Sequence, residues 1–267
     1  DVAGFTVTET GGSTSVAESG TTDTFTIVLN AQPDSDVVFA VTSSDDGETS
    51  VASSLTFTNA NWNTPQTVTV TGVDDDIIDG TVSSSITLSV IDAVSDNNFD
   101  ALDDQTVTAT TTDDDVAGFT VTETGGSTSV AESGTTDTFT IALDAQPVSD
   151  VVLSISTSDS TETTVTSLLT FTNGNWDTPQ TVTVTGLNDD IIDGTISSTL
   201  TIAIVDAISD NDFDAVADQT VTATTADDDV AGFTVTETGG STSVSESGTT
   251  DTFTIVLNAQ PASDVVF

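Results

Sequence analysis

A repeat of 114 residues constrains this chain more than any other feature of its sequence. Asp115 and Asp229 follow Asp1 at steps of 114 positions, and each of the three is followed by Val-Ala-Gly-Phe. This period is far longer than that of a solenoid repeat and matches the usual size of an independent domain. The sequence therefore predicts separately folded repeats over 1–114 and 115–228, with an incomplete third repeat over 229–267.

The charge of the chain has one sign only, because 44 Asp and Glu residues give a net charge of −44 with no Lys, Arg or His. This excludes internal ion pairs and a basic surface for nucleic acid or anionic lipid. Cys is absent too, which excludes disulfides and thiolate metal sites. The carboxylates must be spread apart, protonated or neutralised by bound cations, and a solvated surface is the simplest explanation for any single aspartate.

Short runs of alternating apolar and polar residues, separated by Gly, Pro, Asn and Asp, recur through each repeat. In the first repeat they predict seven strands, at 5–9, 24–29, 36–41, 55–57, 67–71, 85–90 and 106–110. Residues 15–20 are expected to form a short edge piece or a loop. The expected fold class is all-β, with tandem Ig-like antiparallel β-sandwich domains of about seven strands each.

Successive antiparallel strands would place the loops after strands one, three, five and seven at one end of each sandwich. Most of the acidic residues fall in these loops, which would repel one another strongly unless cations were bound. Oxygen ligands without His or Cys suit Ca²⁺. Glu9, Glu48 and Glu162 are expected at the same end. The ligands we predict are Glu18, Asp45, Asp75, Asp76, Asp79, Asp113, Asp114 and Asp115 in the first repeat, and Glu132, Asp159, Asp189, Asp190, Asp193, Asp227, Asp228 and Asp229 in the second.

Two alternatives stay open for the acidic loops. The loops at the acidic end could be solvated without bound ions. The loop from Asp92 to Asp104 is expected at the opposite end, where it could complete a site at the junction between repeats or be plain solvated loop. It lacks the residue order of an EF-hand loop.

The pattern resembles the Calx-beta family of sandwich domains, which occur in exchanger regulatory segments and in repeats of large bacterial surface proteins. The similar stretches in the first repeat are 16–20 before a Phe-Thr-Ile strand, 55–57 followed by Trp62, 66–70 leading into Asp75-Asp76, and 106–108 leading to 113–115. The resemblance implies calcium ligation by Glu18, by the loop at Asp75 and Asp76, and by the terminal aspartates. The junction and strand phrases also look like repeats of long secreted bacterial adhesins.

Catalysis is not expected, because the acidic groups recur at every repeat and no nucleophile or cationic stabiliser accompanies them. The near-identity of the repeats favours a structural role, in an extracellular, cell-surface stalk or fibre that calcium makes rigid. The alternative is an adhesin module that binds glycan or a host surface through Trp62 and Trp176, although a hydrophobic plug at the sandwich end explains these residues more simply.

The expected partners are calcium ions and neighbouring repeats or copies of the chain. The incomplete repeat at 229–267 has at most three predicted strands and cannot bury a core alone. It could belong to a full repeat that continues beyond this stretch, or it could complete its sheet by strand addition with a neighbouring chain. No stretch approaches the roughly 20 apolar residues of a membrane span.

Overall fold

The computed structural model describes residues 2–267, which form two compact units that meet in sequence between Val116 and Ala117. The structure confirms the all-β fold class. Among the described residues the only helical elements are single 3-10 turns, at Thr10–Gly12, Asp92–Val94, Thr124–Gly126, Asp206–Ile208, Asn211–Phe213 and Thr238–Gly240. No helix in this range is long and apolar enough to cross a membrane. The repeat boundaries at 114/115 and 228/229 remain predictions.

The first unit is a sandwich of two sheets. Its strands are β1 (Phe5–Glu9), β2 (Thr14–Ala17), β3 (Thr22–Leu29), β4 (Val37–Ser43), β5 (Thr49–Val51), β6 (Ser54–Phe57), β7 (Gln66–Gly72), β8 (Val82–Val90) and β9 (Gln105–Thr112). One sheet has the order β1-β3-β7-β5 and the other has the order β2-β9-β8-β4-β6. All pairings are antiparallel except that of β2 with β9, which is parallel.

Nine strands form where about seven were predicted. At two places along the chain, two consecutive strands run in the same direction and lie in different sheets. β1 pairs in one sheet and β2 continues in the same direction in the other, after a turn in which Gly11 and Gly12 have φ of 78° and 87°. β5 and β6 are arranged in the same way, with β5 paired to β7 in one sheet and β6 paired to β4 in the other. Positive φ favours glycine, so the glycine pair permits the first crossing.

The core lies between the sheets and consists of the apolar residues from the inward face of each strand. Phe25, Phe39 and Phe57 are fully buried, with ring centroids of Phe39 and Phe57 6.0 Å apart in an edge-to-face pair. Phe99 reaches the same core from the loop between β8 and β9, where it is 1% exposed. The sheets also approach closely at Gly72, where an added Cβ would lie 2.0 Å from the Ala17 carbonyl oxygen.

The second unit repeats this architecture. Its strands are β10 (Phe119–Glu123), β11 (Thr128–Ala131), β12 (Thr136–Leu143), β13 (Val151–Thr157), β14 (Thr163–Val165), β15 (Leu168–Phe171), β16 (Gln180–Gly186), β17 (Ile196–Ile204), β18 (Gln219–Ala226), β19 (Phe233–Glu237) and β20 (Phe253–Leu257). β10 to β18 form two sheets in the same order as β1 to β9. β19 and β20 form a separate two-stranded hairpin, and strand addition by residues 229–267 remains a prediction.

Candidate metal centre

Four chain segments bring carboxylates to one end of the first unit. β2 and β9 run side by side in parallel and end together, with the Glu18 N–H donating to the Thr112 carbonyl oxygen at 3.1 Å. Glu18 therefore lies beside the aspartates that follow β9. The loops after β4 and β7 reach the same end and contribute Glu48 and Asp79.

The carboxylates form two groups of three that share Glu18. One group is Glu18, Asp113 and Asp115, and the other is Glu18, Glu48 and Asp79. In each group, one oxygen from every residue lies within 4.8 Å of the others. The second unit has the groups Glu132, Asp189 and Asp229, and Glu132, Glu162 and Asp193. The shared residue is thus the glutamate that directly follows β2 in the first unit and β11 in the second.

The shared glutamate is buried without a hydrogen-bond partner. Glu18 has 0% exposure, and neither of its carboxylate oxygens has a partner among the described residues. Glu132, its counterpart in the second unit, is 1% exposed and also lacks partners for both oxygens. Glu48 and Glu162 are 5% and 4% exposed, each with one oxygen unpartnered. Buried polar groups are nearly always paired, so an unpaired buried carboxylate that recurs in both units is compatible with a cation site.

Burial and mutual repulsion raise the pKa values of these carboxyls. Burial, followed by the charges of Asp113 and Asp75, raises the pKa of Glu18 to about 7. Burial, followed by the charges of Asp79 and Asp45, raises the pKa of Glu48 to about 7. The same causes raise the pKa of Glu132 to about 6 and that of Asp79, Asp115, Glu162 and Asp229 above the usual range.

The repulsion within one group is large when all its members are ionised. Two unit charges 4.8 Å apart repel by about 3.5 kcal/mol at an effective dielectric constant of 20. Three such pairs would cost roughly 10 kcal/mol, which is comparable to the whole stability of a domain. A divalent cation at the centre of the group would convert this repulsion into attraction.

Asp113 organises the loops that supply the other ligands. Its Oδ2 accepts hydrogen bonds from the N–H groups of Asp79 and Gly80, at 3.1 and 2.8 Å. Its Oδ1 accepts one from the Asp115 N–H at 2.7 Å. Gly80 has φ of 74°, a conformation that other residues rarely adopt. Asp227 makes the matching bonds in the second unit, and they hold its pKa below the usual range.

The structure groups only part of the predicted ligand set. Glu18, Asp79, Asp113 and Asp115 fall in the groups of the first unit, and Glu132, Asp189, Asp193 and Asp229 in those of the second. The predicted residues outside these groups are Asp45, Asp75, Asp76, Asp114, Asp159, Asp190, Asp227 and Asp228. Asp75 differs from its counterpart Asp189 in this respect, although the Oδ1 atoms of both accept a backbone N–H, from Ile77 at 2.8 Å and from Ile191 at 2.7 Å.

Asp45 and Asp159 each stabilise a turn in their own loop and do not belong to the acidic groups. Asp45 Oδ1 accepts the Gly47 N–H at 3.1 Å, and Asp159 Oδ1 accepts the Thr161 N–H at 3.0 Å. The bonds from Thr161 hold the pKa of Asp159 below its usual range. These turns carry Glu48 and Glu162, two buried acids that the predicted ligand set omits. The feature that could have identified Glu48 is its position directly before Thr49, which begins β5 and is buried.

Glu9 does not reach the acidic end, where the sequence placed it. It pairs with Phe25 in the middle of β3, because its pass continues along the sandwich as β2. Its carboxylate accepts the Thr14 hydroxyl at 3.1 Å. Glu123 pairs with Phe139 and accepts the Thr128 hydroxyl in the same way.

The acidic loop at the opposite end is held by its own hydrogen bonds. Asp96 is 4% exposed, and its Oδ2 accepts the N–H groups of Asp34 and Ser35 at 2.6 and 3.0 Å. Its Oδ1 accepts the Asn98 N–H at 2.9 Å, and these bonds together hold its pKa below the usual range. Trp62 is partly buried against the core, as expected for a plug. Glycan recognition by Trp62 and Trp176 remains a prediction.

Comparisons with known proteins give distant structural similarity only. No protein-family model matches the chain, and no curated protein matches it. The calcium-binding domain CBD12 of CALX1.1 is 13% identical over 74% of this chain and 80% of that chain, with a TM-score of 0.29. Domains 4 and 5 of the S-layer protein SbsC are 11% identical over 85% and 100%, with a TM-score of 0.31. Domains 1–6 of SbsC are 14% identical over 97% and 37%, with a TM-score of 0.36. These TM-scores are too low to transfer a function, so the assignment of the site depends on its own geometry.

Proposed function

We propose that each complete unit binds calcium at its acidic end, at two neighbouring positions that share Glu18 in the first unit and Glu132 in the second. The observation that supports this most strongly is the burial of both glutamates without any hydrogen-bond partner. An ion at each position would receive three carboxylates. Ca²⁺ suits the site because it takes 6–8 oxygen ligands in flexible geometry, and carbonyl groups and water can supply the remainder.

Calcium would stabilise the fold by joining segments that are remote in sequence. Glu18 follows β2, Glu48 follows β4, Asp79 follows β7 and Asp113 follows β9. A cation among them would tie together the ends of strands from both sheets. Because such an ion binds the folded state and not the dispersed ligands of the unfolded chain, its binding free energy adds to the free energy of unfolding.

The role we propose for the repeats is structural, as units of a calcium-stabilised stalk or fibre outside the cell. The two complete units repeat the same strand order, and each has two acidic groups that share its buried glutamate, so neither unit has a kind of site that the other lacks. Calcium sites of extracellular modules typically have dissociation constants of roughly 10⁻⁴ to 10⁻³ M. Removal of calcium should shorten or loosen the array, which small-angle scattering in calcium and in chelator would measure. An unchanged maximum dimension would contradict the structural role.

Calorimetric titration of the 267-residue chain with Ca²⁺ tests the proposed site itself. We expect two ions for each complete unit, and loss of those in the first unit in the Glu18→Gln variant. Asp103→Asn is the matched control, because it removes the same charge from an exposed position in the same unit. Equal calcium uptake by the two variants would contradict the site. Titration with Mg²⁺ separates a site that favours the larger ion from simple charge neutralisation.

A further inference from the structure

We propose that the loop segment Asp190–Ile192 is a docking element between repeats, and that the turn at Gln260-Pro261 of the following repeat is its partner. This inference goes beyond the proposed function and does not require a bound ion. It concerns residues between β16 and β17 on one side and the turn after β20 on the other, all within the second compact unit.

Backbone pairing joins the two segments. The Gln260 N–H donates to the Asp190 carbonyl oxygen at 2.6 Å. Ile191 and Gln260 form a parallel β-bridge, which lies outside the named strands of both repeats. Such pairing depends on backbone position rather than on side-chain charge, so it can join two strongly acidic repeats.

Apolar side chains surround this pairing. Ile192 lines a cavity together with Ala231, Phe233 and Pro261 of the following repeat. Ile191 lines a neighbouring cavity with Pro261 and Ala262. Ile191 and Ile192 are 43% and 47% exposed. They lie in an acidic loop, where polar residues would be expected at exposed positions. Contact with the following repeat explains why two adjacent isoleucines occur there.

The loop is held in shape from both of its ends. The Ile191 N–H donates to Asp189 Oδ1 at 2.7 Å. The N–H groups of Asp193 and Gly194 donate to Asp227 Oδ2 at 3.1 and 2.9 Å. These bonds fix the backbone of the segment before the partner arrives, which reduces the entropy lost on docking.

In the two complete repeats, the glutamine side chain of the equivalent turn fixes that turn within its own repeat. Gln32 Nε2 donates to the Asn59 carbonyl oxygen at 2.9 Å, and Gln146 Nε2 donates to that of Asn173 at 2.7 Å. In those two turns the side chain makes the local contact, whereas at Gln260 the backbone N–H pairs with Asp190. The Ala-Gln-Pro sequence of the turn recurs at 31–33, 145–147 and 259–261, and the Ile-Ile pair recurs at 77–78 and 191–192.

Amide hydrogen exchange at Gln260, measured by NMR in the complete 267-residue chain with calcium present, tests the docking directly. The Ile191→Ser/Ile192→Ser double variant should exchange the Gln260 amide about tenfold faster, the factor expected for the loss of one hydrogen bond of ordinary net strength. The Ile77→Ser/Ile78→Ser variant is the matched control, because it alters the same loop in the first repeat and should leave Gln260 unchanged. Amides of β16 and β17 report whether the second unit stays folded.

Two results would overturn the docking. One is an unchanged exchange rate at Gln260 in the Ile191→Ser/Ile192→Ser variant, or equal acceleration in the control. The other result is the absence of a nuclear Overhauser contact between the Gln260 amide and Ile191 in the unmodified chain. This measurement tests the pairing even if the Ile191→Ser/Ile192→Ser variant unfolds. Neither result bears on calcium binding, since both variants retain every carboxylate.

Discussion

Replacing Glu18 with glutamine should change the stability of the first unit in opposite directions with and without calcium. The pKa of Glu18 rises from 4.5 to about 7 in the folded state, chiefly because of burial. Ionising this group in the folded protein at pH 8 therefore costs about 3 kcal/mol. Glutamine resembles the protonated acid in shape and charge, so Glu18→Gln removes that cost.

In chelator at pH 8, the variant should exceed the unmodified protein by about 3 kcal/mol in free energy of unfolding. With an m-value of about 1.5 kcal/mol/M, the urea midpoint of the first unit would rise by about 2 M. In saturating calcium the order should reverse, because the variant lacks the ligand that both carboxylate groups share.

The assay is urea unfolding followed by tryptophan fluorescence. Trp62 and Trp176 are the only tryptophans of the chain, one in each complete unit. A Trp176→Phe background makes the signal report on the first unit alone. Asp103→Asn, an exposed control, should shift the midpoint little in either condition. Destabilisation by Glu18→Gln in chelator, or equal stabilisation in both conditions, would refute the reasoning.

Three further predictions concern pH, the contact between sheets and the long loop. Without calcium, the folded protein binds protons on Glu18 and Glu48 between pH 4.5 and about 7 that the unfolded chain does not. The free energy of unfolding should therefore fall as pH rises through this range, and a rise in urea midpoint in chelator would contradict it. Gly72→Ala should destabilise the first unit by about 3 kcal/mol or more, because the new Cβ would lie 2.0 Å from the Ala17 carbonyl oxygen; a midpoint unchanged in thermal unfolding would refute this contact. Phe99→Ala should cost about 3–5 kcal/mol in urea unfolding, whereas a cost below about 1 kcal/mol would show that the loop does not complete the core.

The sequence predicts the strands well because alternation reports directly which face of a strand is buried. Phe25, Ile27 and Leu29 occupy alternate positions of the strand predicted at 24–29, and all three are buried in β3. Alternation does not report which sheet a strand joins. The crossing at Gly11-Gly12 therefore places the strand predicted at 5–9 and the edge piece or loop expected at 15–20, where β2 forms, in different sheets, and it removes Glu9 from the acidic end.

The sequence also predicts which end of the sandwich carries the acidic groups. It does not predict which of several adjacent aspartates belong to those groups. Topology brings the loops together, but loop backbones lose the two-residue period that would show which side chains point inward. Asp113 and Asp115 join the group around Glu18, and Asp114 between them does not. Glu48 could not be selected from the sequence for a similar reason, because its inward direction depends on the turn that Asp45 makes with Gly47.

Thermal unfolding of the 267-residue chain in calcium, in magnesium at equal ionic strength and in chelator tests the central claim most directly. A calcium concentration 100 times the dissociation constant should stabilise each complete unit by about 2.7 kcal/mol per ion, or roughly 10 °C in unfolding midpoint for a domain of this size. The account predicts this rise in calcium and a much smaller one in magnesium. Equal midpoints in all three conditions would show that the buried glutamates hold no calcium.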